Sequence, residues 1–166
     1  LAASLKDQVS DLLRIAAATG TQVCHIKPHG TLYNDAAKDA GLATMVAALC
    51  AETGIPVLLG PPASEMERAA RASGLTYVAE GFADRAYEAD LSLSPRNLPG
   101  AVFHDAESQS AQALSIALRH EVITRTGETV PLHVQTLCLH GDTPGAAENA
   151  ARLRAVLEAR GITIRP

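Results

Sequence analysis

Three short runs of charged and imidazole-bearing residues stand out in the sequence. Lys27-Pro28-His29-Gly30 follows the apolar run VCHI, Glu80-Gly81-Phe82-Ala83-Asp84-Arg85 follows LTYVA, and His140-Gly141-Asp142-Thr143 follows TLCL. His29, His140 and Asp142 are metal-ligand types, offering a neutral imidazole nitrogen or a carboxylate oxygen. They suit general acid and base work near neutral pH equally well. Lys27, Arg85 and Arg96 offer fixed positive charge for a carboxylate, a phosphate or an oxyanion. Glu80 and Asp84 are able to activate water. A helix starting at Pro144 would present free N–H groups to an anion at the same rim. No GxxxxGK[ST] run occurs, which excludes a self-contained P-loop nucleotide site on this chain. Ser94, Ser108 and Ser110 lack a G-x-S-x-G context, which argues against a serine hydrolase.

Taken singly, each residue also has a structural explanation. Lys27 reads as a surface lysine at a strand end, and His29 as a turn residue bonded to backbone. Asp84 and Arg85 read as a local ion pair holding a loop. Asp142 reads as an assistant to an N-cap at Thr143, and His140 as a satisfied strand-end histidine. Their common placement carries the functional inference. In parallel α/β folds, functional groups collect just beyond the C-terminal ends of the strands, so the three clusters are expected to converge on one cleft. His25, His104, His120 and His133 are read as structural or surface residues.

The elements that must position these groups follow from apolar periodicity and from breakers. Leu5, Val9, Leu12, Leu13 and Ala16 form one stripe of a helix over residues 2–19, stopped at Gly20. Residues 22–26 are expected to form a buried strand and residues 30–34 a loop, with Asn34 or Asp35 capping a helix over 36–51. A strand over 55–59 comes next. Ser64 and Glu67 then make an S-x-x-E capping box for a helix to Ala72. Residues 75–79 read as a strand, and 81–104 as a long irregular stretch broken by Pro95, Pro99 and Gly100; a loop of that length is usually functional or disordered. Asp105 caps a helix over 106–120, and Gly127 marks a turn. Residues 130–139 are mostly extended. Thr143-Pro144 starts a helix to Arg160, and 162–164 looks like a final strand. Alternating helices and short, continuously apolar strands mean a parallel sheet with helices packed outside it, an α/β fold. About five strands are too few to close a standard (β/α)8 barrel. An open sheet and a barrel lacking its beginning both fit.

Composition narrows the partners. The chain has 166 residues, 47% hydrophobic and 19% charged, with a formal net charge of −4. That is a folding composition of single-domain length. The acidic balance argues against nucleic acid, and no apolar run approaches the ~20 residues that span a bilayer. Aromatic residues are 3% and Trp is absent, so stacking platforms for bases or sugars are not expected. Cys24, Cys50 and Cys138 are odd in number and widely spaced. They read as reduced, mostly buried thiols in a reducing compartment rather than a zinc site.

The segments IKPHGTLYND, EGFADRAYEADLSLSPRNLPGA and TLCLHGDTPGA resemble the signature segments of the LamB/YcsF family, also called the 5-oxoprolinase A-subunit family. The resemblance runs through the whole chain to GITIRP. Lys27, His29, Tyr33 and Asn34 match the first motif. Glu80, Asp84, Arg85, Tyr87, Pro95 and Arg96 match the second, and His140, Gly141, Asp142 and Thr143 the third. The resemblance implies a parallel (β/α) barrel of the glycoside hydrolase/deacetylase type. Family members begin with a segment rich in Asp, His and Gly that is not in this sequence. The 166 residues are therefore expected to form a single (β/α) domain, the C-terminal two-thirds of a larger, here incomplete barrel.

The implied activity is ATP-dependent opening of 5-oxo-L-proline to L-glutamate, in a complex with two further subunits in the cytoplasm. ATP is then a co-substrate, and a divalent metal is an expected option with His29 and His140 as candidate ligands. On this reading His29, Asp84, His140 and Asp142 are the candidate catalytic residues, and Lys27, Glu80, Arg85 and Arg96 the candidate substrate- or phosphate-binding residues. Two alternatives are a stand-alone metal-dependent hydrolase or deacetylase on the same scaffold, and a non-catalytic scaffold subunit.

Overall fold

Short apolar runs alternating with helical segments become parallel strands separated by helices in the computed structural model, which describes residues 1–142 and 144–165. It divides into two compact units, Leu1–Ala79 and Glu80–Pro166.

In the first unit, helix α1 (Ala2–Ala18) packs on α3 (Ala40–Thr53), while α2 (Thr31–Lys38) and α4 (Glu65–Ala72) also pack on α3. Strands β1 (His25–Ile26) and β2 (Val57–Gly60) pair in parallel, and β2 pairs in parallel with the first four residues of β3 (Thr76–Phe82). Val46, Cys50, Ile55, Leu58 and Met66 make its core. The Tyr77 hydroxyl donates to the Pro61 carbonyl at 2.7 Å and lies 3.1 Å from the Ser64 hydroxyl. A side chain at Gly60 would collide with Tyr77 and Met66, so only glycine lets them pack there.

Several expectations for this unit need correction. The strand at 22–26 is only His25–Ile26, and the expected loop at 30–34 is the start of α2. Gly30 precedes that helix at φ +62°, a backbone state open to glycine, and Asn34 and Asp35 lie within the helix instead of capping it. The break falls at Asp39, whose carboxylate accepts the Leu42 N–H at 2.9 Å and caps α3. Leu12 is exposed although it falls on the expected stripe of α1. The capping box holds in modified form: Ser64 Oγ accepts the Glu67 N–H, and Glu67 reaches back to the Ala63 N–H, one residue before the cap.

In the second unit, the last three residues of β3 pair in parallel with β6 (Thr136–Cys138). Asp105 accepts the Ser108 N–H at 2.7 Å and starts α5 (Ala106–Leu114), which continues as a π-helical turn over Ser115–Arg119. Strands β4 (Glu121–Ile123) and β5 (Thr129–Pro131) form an antiparallel hairpin around Gly127. The extended run expected over 130–139 is thus two separate strands, and β4 had no counterpart in the sequence reading. Helix α6 spans Ala146–Ala159, capped at Gly145 and not starting at Pro144; the expected cap, Thr143, lies outside the described residues. Residues 162–165 are not a strand. Ile162 and Ile164 instead pack with Leu114, Leu137 and Leu139 against Ala83, Leu153 and Leu157.

Candidate active site

Strand β3 continues three residues further than its apolar run suggested, because Glu80, Gly81 and Phe82 pair with Thr136, Leu137 and Cys138. That pairing sets the ends of β3 and β6 side by side. Asp84 and His140 each follow two residues after those ends. The Asp84 side chain is 4% exposed and that of His140 25%. The Asp84 carboxylate stands 2.8 Å and 3.0 Å from His140 Nδ1 and accepts the His140 backbone N–H at 3.1 Å. A carboxylate oxygen only accepts, so Nδ1 carries a hydrogen, and in the neutral ring the lone pair is left on Nε2. Phe82 stacks on the imidazole with centroids 5.5 Å apart, which fixes the plane of the ring. A buried carboxylate orienting a partly exposed histidine is an arrangement able to take and return a proton.

The loop after β3 is ordered by a dense set of hydrogen bonds. Arg85, expected as a local ion-pair partner of Asp84, instead donates from Nη2 to the Ser94 carbonyl at 2.6 Å and from Nε to the Ala101 carbonyl at 3.4 Å. The Tyr87 hydroxyl accepts the Phe82 N–H at 2.7 Å, and burial pushes its pKa well above the usual tyrosine value. Ser94 donates to Glu88, which also receives Arg125 at 2.9 Å. Two glutamines of α5, one turn apart and both buried, complete the frame. Gln112 Nε2 lies 2.6 Å from the Phe82 carbonyl and 2.7 Å from that of Arg85, on either side of Asp84. Gln109 donates to the Phe103 carbonyl at 2.8 Å, and the Phe103 N–H donates to the Asp84 carbonyl at 2.9 Å. The sequence reading missed both glutamines. The available signal was two large polar residues at i and i+3 on an otherwise alanine-rich face.

Arg96 and Asp142 meet at the outer rim, with Nη1 and Oδ2 3.6 Å apart. Burial first, and then the neighbouring charge of Arg96, lower the Arg85 pKa against the opposing pull of Asp84. Glu80 is buried and partnered. Lys27 and His29 belong to the first unit, at the end of β1, with Lys27 Nζ 5.9 Å from the Tyr33 ring centroid and His29 exposed. Among the described residues no three His, Cys, Asp or Glu side chains stand close enough together to hold a metal ion. Of the thiols expected to be mostly buried, Cys50 is buried, Cys138 is intermediate and Cys24 is exposed.

The model of the LamB/YcsF family matches residues 1–166. The chain belongs to the LamB/YcsF family. Among its relatives are proteins named as the A-subunit of 5-oxoprolinase. That from Methylococcus capsulatus is 46% identical over 95% of this chain and 61% of the relative, and that from Chloroflexus aggregans 48% identical over 95% and 63%. The crystal structure of the lactam utilization protein from Thermus thermophilus matches with a TM-score of 0.88 at 34% identity, covering 99% of this chain and 66% of that one. This LamB/YcsF chain thus spans a little under two-thirds of the length of the relatives it matches. The α/β fold expected from the sequence is the fold it has.

Proposed function

We propose that this LamB/YcsF chain acts as one subunit of a cytoplasmic, ATP-dependent 5-oxoprolinase, opening 5-oxo-L-proline to L-glutamate with ATP hydrolysis. The observation that carries the reading is the buried Asp84 carboxylate holding His140 beside the ends of β3 and β6. The names of relatives at 46–48% identity support the substrate class. A five-membered lactam is a poor electrophile. Its hydrolysis breaks the ring C–N bond, adds hydroxide to the carbonyl carbon and returns a proton to the ring nitrogen. His140 Nε2 accepts the proton of the attacking water and delivers it to the departing nitrogen, while Asp84 holds the ring in the productive tautomer. Arg85 and Arg96 supply positive charge against the substrate carboxylate or the developing oxyanion.

ATP, as co-substrate, transfers its γ-phosphoryl group to the lactam oxygen and departs as ADP; water addition and C–N cleavage then leave the acyl phosphate of glutamate, which a second water hydrolyses to L-glutamate and inorganic phosphate. With no P-loop in this sequence, ATP takes a site of another kind, on this chain or at an interface with two further subunits. The described residues do not make a three-ligand metal site. The chain further forms part of a longer (β/α) barrel in this reading. In support, β6 pairs among the described residues with β3 alone, beside an apolar groove of about 620 Å³ lined by Leu137, Leu139, Leu157 and Ile162.

The test is ATP-dependent glutamate release from 5-oxo-L-proline by the full-length chain together with its candidate partner subunits. Release that requires ATP and stops when this chain is omitted is expected. Equal release without this chain, or none with all components present, overturns the proposal.

A further inference from the structure

The loop that carries Arg85 turns back over Pro95–Val102 and opens a cleft of about 620 Å³ on the surface of the second unit. Arg96 and His104 lie on its walls with Pro99 and Val102, and Asp142 and Pro144 close the far side. Arg85 is not among the residues that line the cleft, and its hydrogen bonds go to the Ser94 and Ala101 carbonyls. Burial first, and then the charge of Arg96, lower the Arg85 pKa, while Asp84 opposes them. A guanidinium on the wall of a concave surface raises the local positive potential and concentrates anions there. Asp142 answers that potential poorly. Its carboxylate lies 3.6 Å from Arg96, beyond hydrogen-bonding distance, and the two side chains are 67% and 49% exposed. An exposed pair of this kind is weak, whereas a free carboxylate or phosphate can take a guanidinium by two parallel hydrogen bonds.

We infer that the Arg96–His104 cleft is a binding site for a small anionic oxygen group, and that Asp142 is an internal stand-in for that anion which the ligand displaces from Arg96. This assigns Asp142 to gating of the anion and not to proton transfer. The site deepens the 5-oxoprolinase reading, and only the identity of the anion rests on that reading. The shared chemistry has two sources, the carboxylate of the cyclic amide substrate and the phosphate chain of the nucleotide.

The full chain is titrated with inorganic phosphate, 5-oxo-L-proline and ATP in separate arms, followed by backbone amide shifts of residues 96–104 and 140–142. R96Q is expected to weaken binding by tenfold or more. D142N removes the competing carboxylate and is expected to tighten it about threefold to fivefold, the scale of an exposed ion pair. Saturation by 5-oxo-L-proline alone assigns the site to the substrate carboxylate. Saturation by phosphate and ATP alone assigns it to the nucleotide. R96Q binding as well as the parent chain, or D142N binding more weakly, overturns the inference. Both side chains are exposed, so both variants should fold, and their melting curves check this. Glutamate release by the reconstituted complex separates the two proposals. A parent complex that binds anions in the cleft but releases no glutamate defeats the activity and leaves the site. An R96Q complex with undiminished turnover and unchanged KM for both substrates defeats the site and leaves the activity.

Discussion

Replacing Asp84 by Asn keeps the shape of the side chain and removes its charge. In the native chain the carboxylate receives two donors, His140 Nδ1–H and the His140 backbone N–H. An asparagine oxygen at the Oδ2 position keeps the backbone N–H, and the amide nitrogen then stands at the Oδ1 position, which lies 3.0 Å from His140 Nδ1. The backbone N–H cannot change, so the oxygen stays on it and the NH2 group turns to the ring. The ring responds by moving its hydrogen to Nε2, which lets Nδ1 accept. One charge-assisted bond becomes neutral and the other is rebuilt with reversed polarity. Charge-assisted bonds exceed neutral ones by about 1 kcal/mol each, so the expected loss of stability is ~2 kcal/mol. At ~2–4 °C per kcal/mol for a chain of this size, the melting temperature should fall by roughly 4–8 °C. The reversed tautomer presents an N–H where the reaction needs a lone pair, so turnover in the reconstituted complex should drop by ~10²-fold or more. Circular dichroism melting gives the first quantity, glutamate release the second, and long-range 1H–15N correlation of His140 reads the tautomer directly. A variant that melts lower but turns over at the parent rate would refute the reasoning and leave Asp84 as a loop anchor.

Three further outcomes follow from the same frame. Gln112→Leu removes the side-chain donor to the Phe82 and Arg85 carbonyls; at about 1–3 kcal/mol for each such buried acceptor, a loss of ~2–6 kcal/mol is expected, and a denaturant midpoint equal to that of the parent would show that the clamp is idle. Burial raises the Cys50 thiol to about 11, so its contribution to stability is complete below the unfolded thiol value of ~8.5 and is lost as pH rises through about 11; Cys50→Ala should flatten that alkaline decline in melting temperature, and an unchanged slope would contradict the assignment. With Cys24 exposed and Cys50 buried, a small maleimide at neutral pH should modify Cys24 well before Cys50, as peptide mass mapping would report, and equal rates would show that the first unit opens freely.

The strand ends were legible in the sequence because a short apolar run followed by charge has few other meanings in an α/β chain. Asp84 and His140 were found that way, and their direct contact confirms that two of the three clusters meet. Their roles were not legible, since Asp84 has Arg85 beside it in sequence but takes His140 across the strand pair. The extension of β3 through Phe82 was missed because Glu80 reads as a strand terminator, while the structure buries it and pairs its backbone with Thr136. The start of α2 was missed for a similar reason. Gly30, Asn34 and Asp35 suggest a loop, yet packing on α3 makes a helix of the segment after Gly30 and moves the break to Asp39. The two clamping glutamines depend on carbonyls from distant segments, and a single sequence does not pair those. Helices with their own caps, at Ser64 and Asp105, were placed correctly because those signals are local.

The central claim is that the Asp84–His140 pair handles the proton of lactam opening, and His140→Gln tests it most directly. The His140 side chain is a quarter exposed, so its loss should cost little stability, and Asp84 keeps the backbone N–H of residue 140. In the reconstituted complex, ATP-dependent glutamate release should fall by ~10²-fold or more with the melting temperature nearly unchanged. Release at the parent rate from a folded H140Q chain would contradict the account.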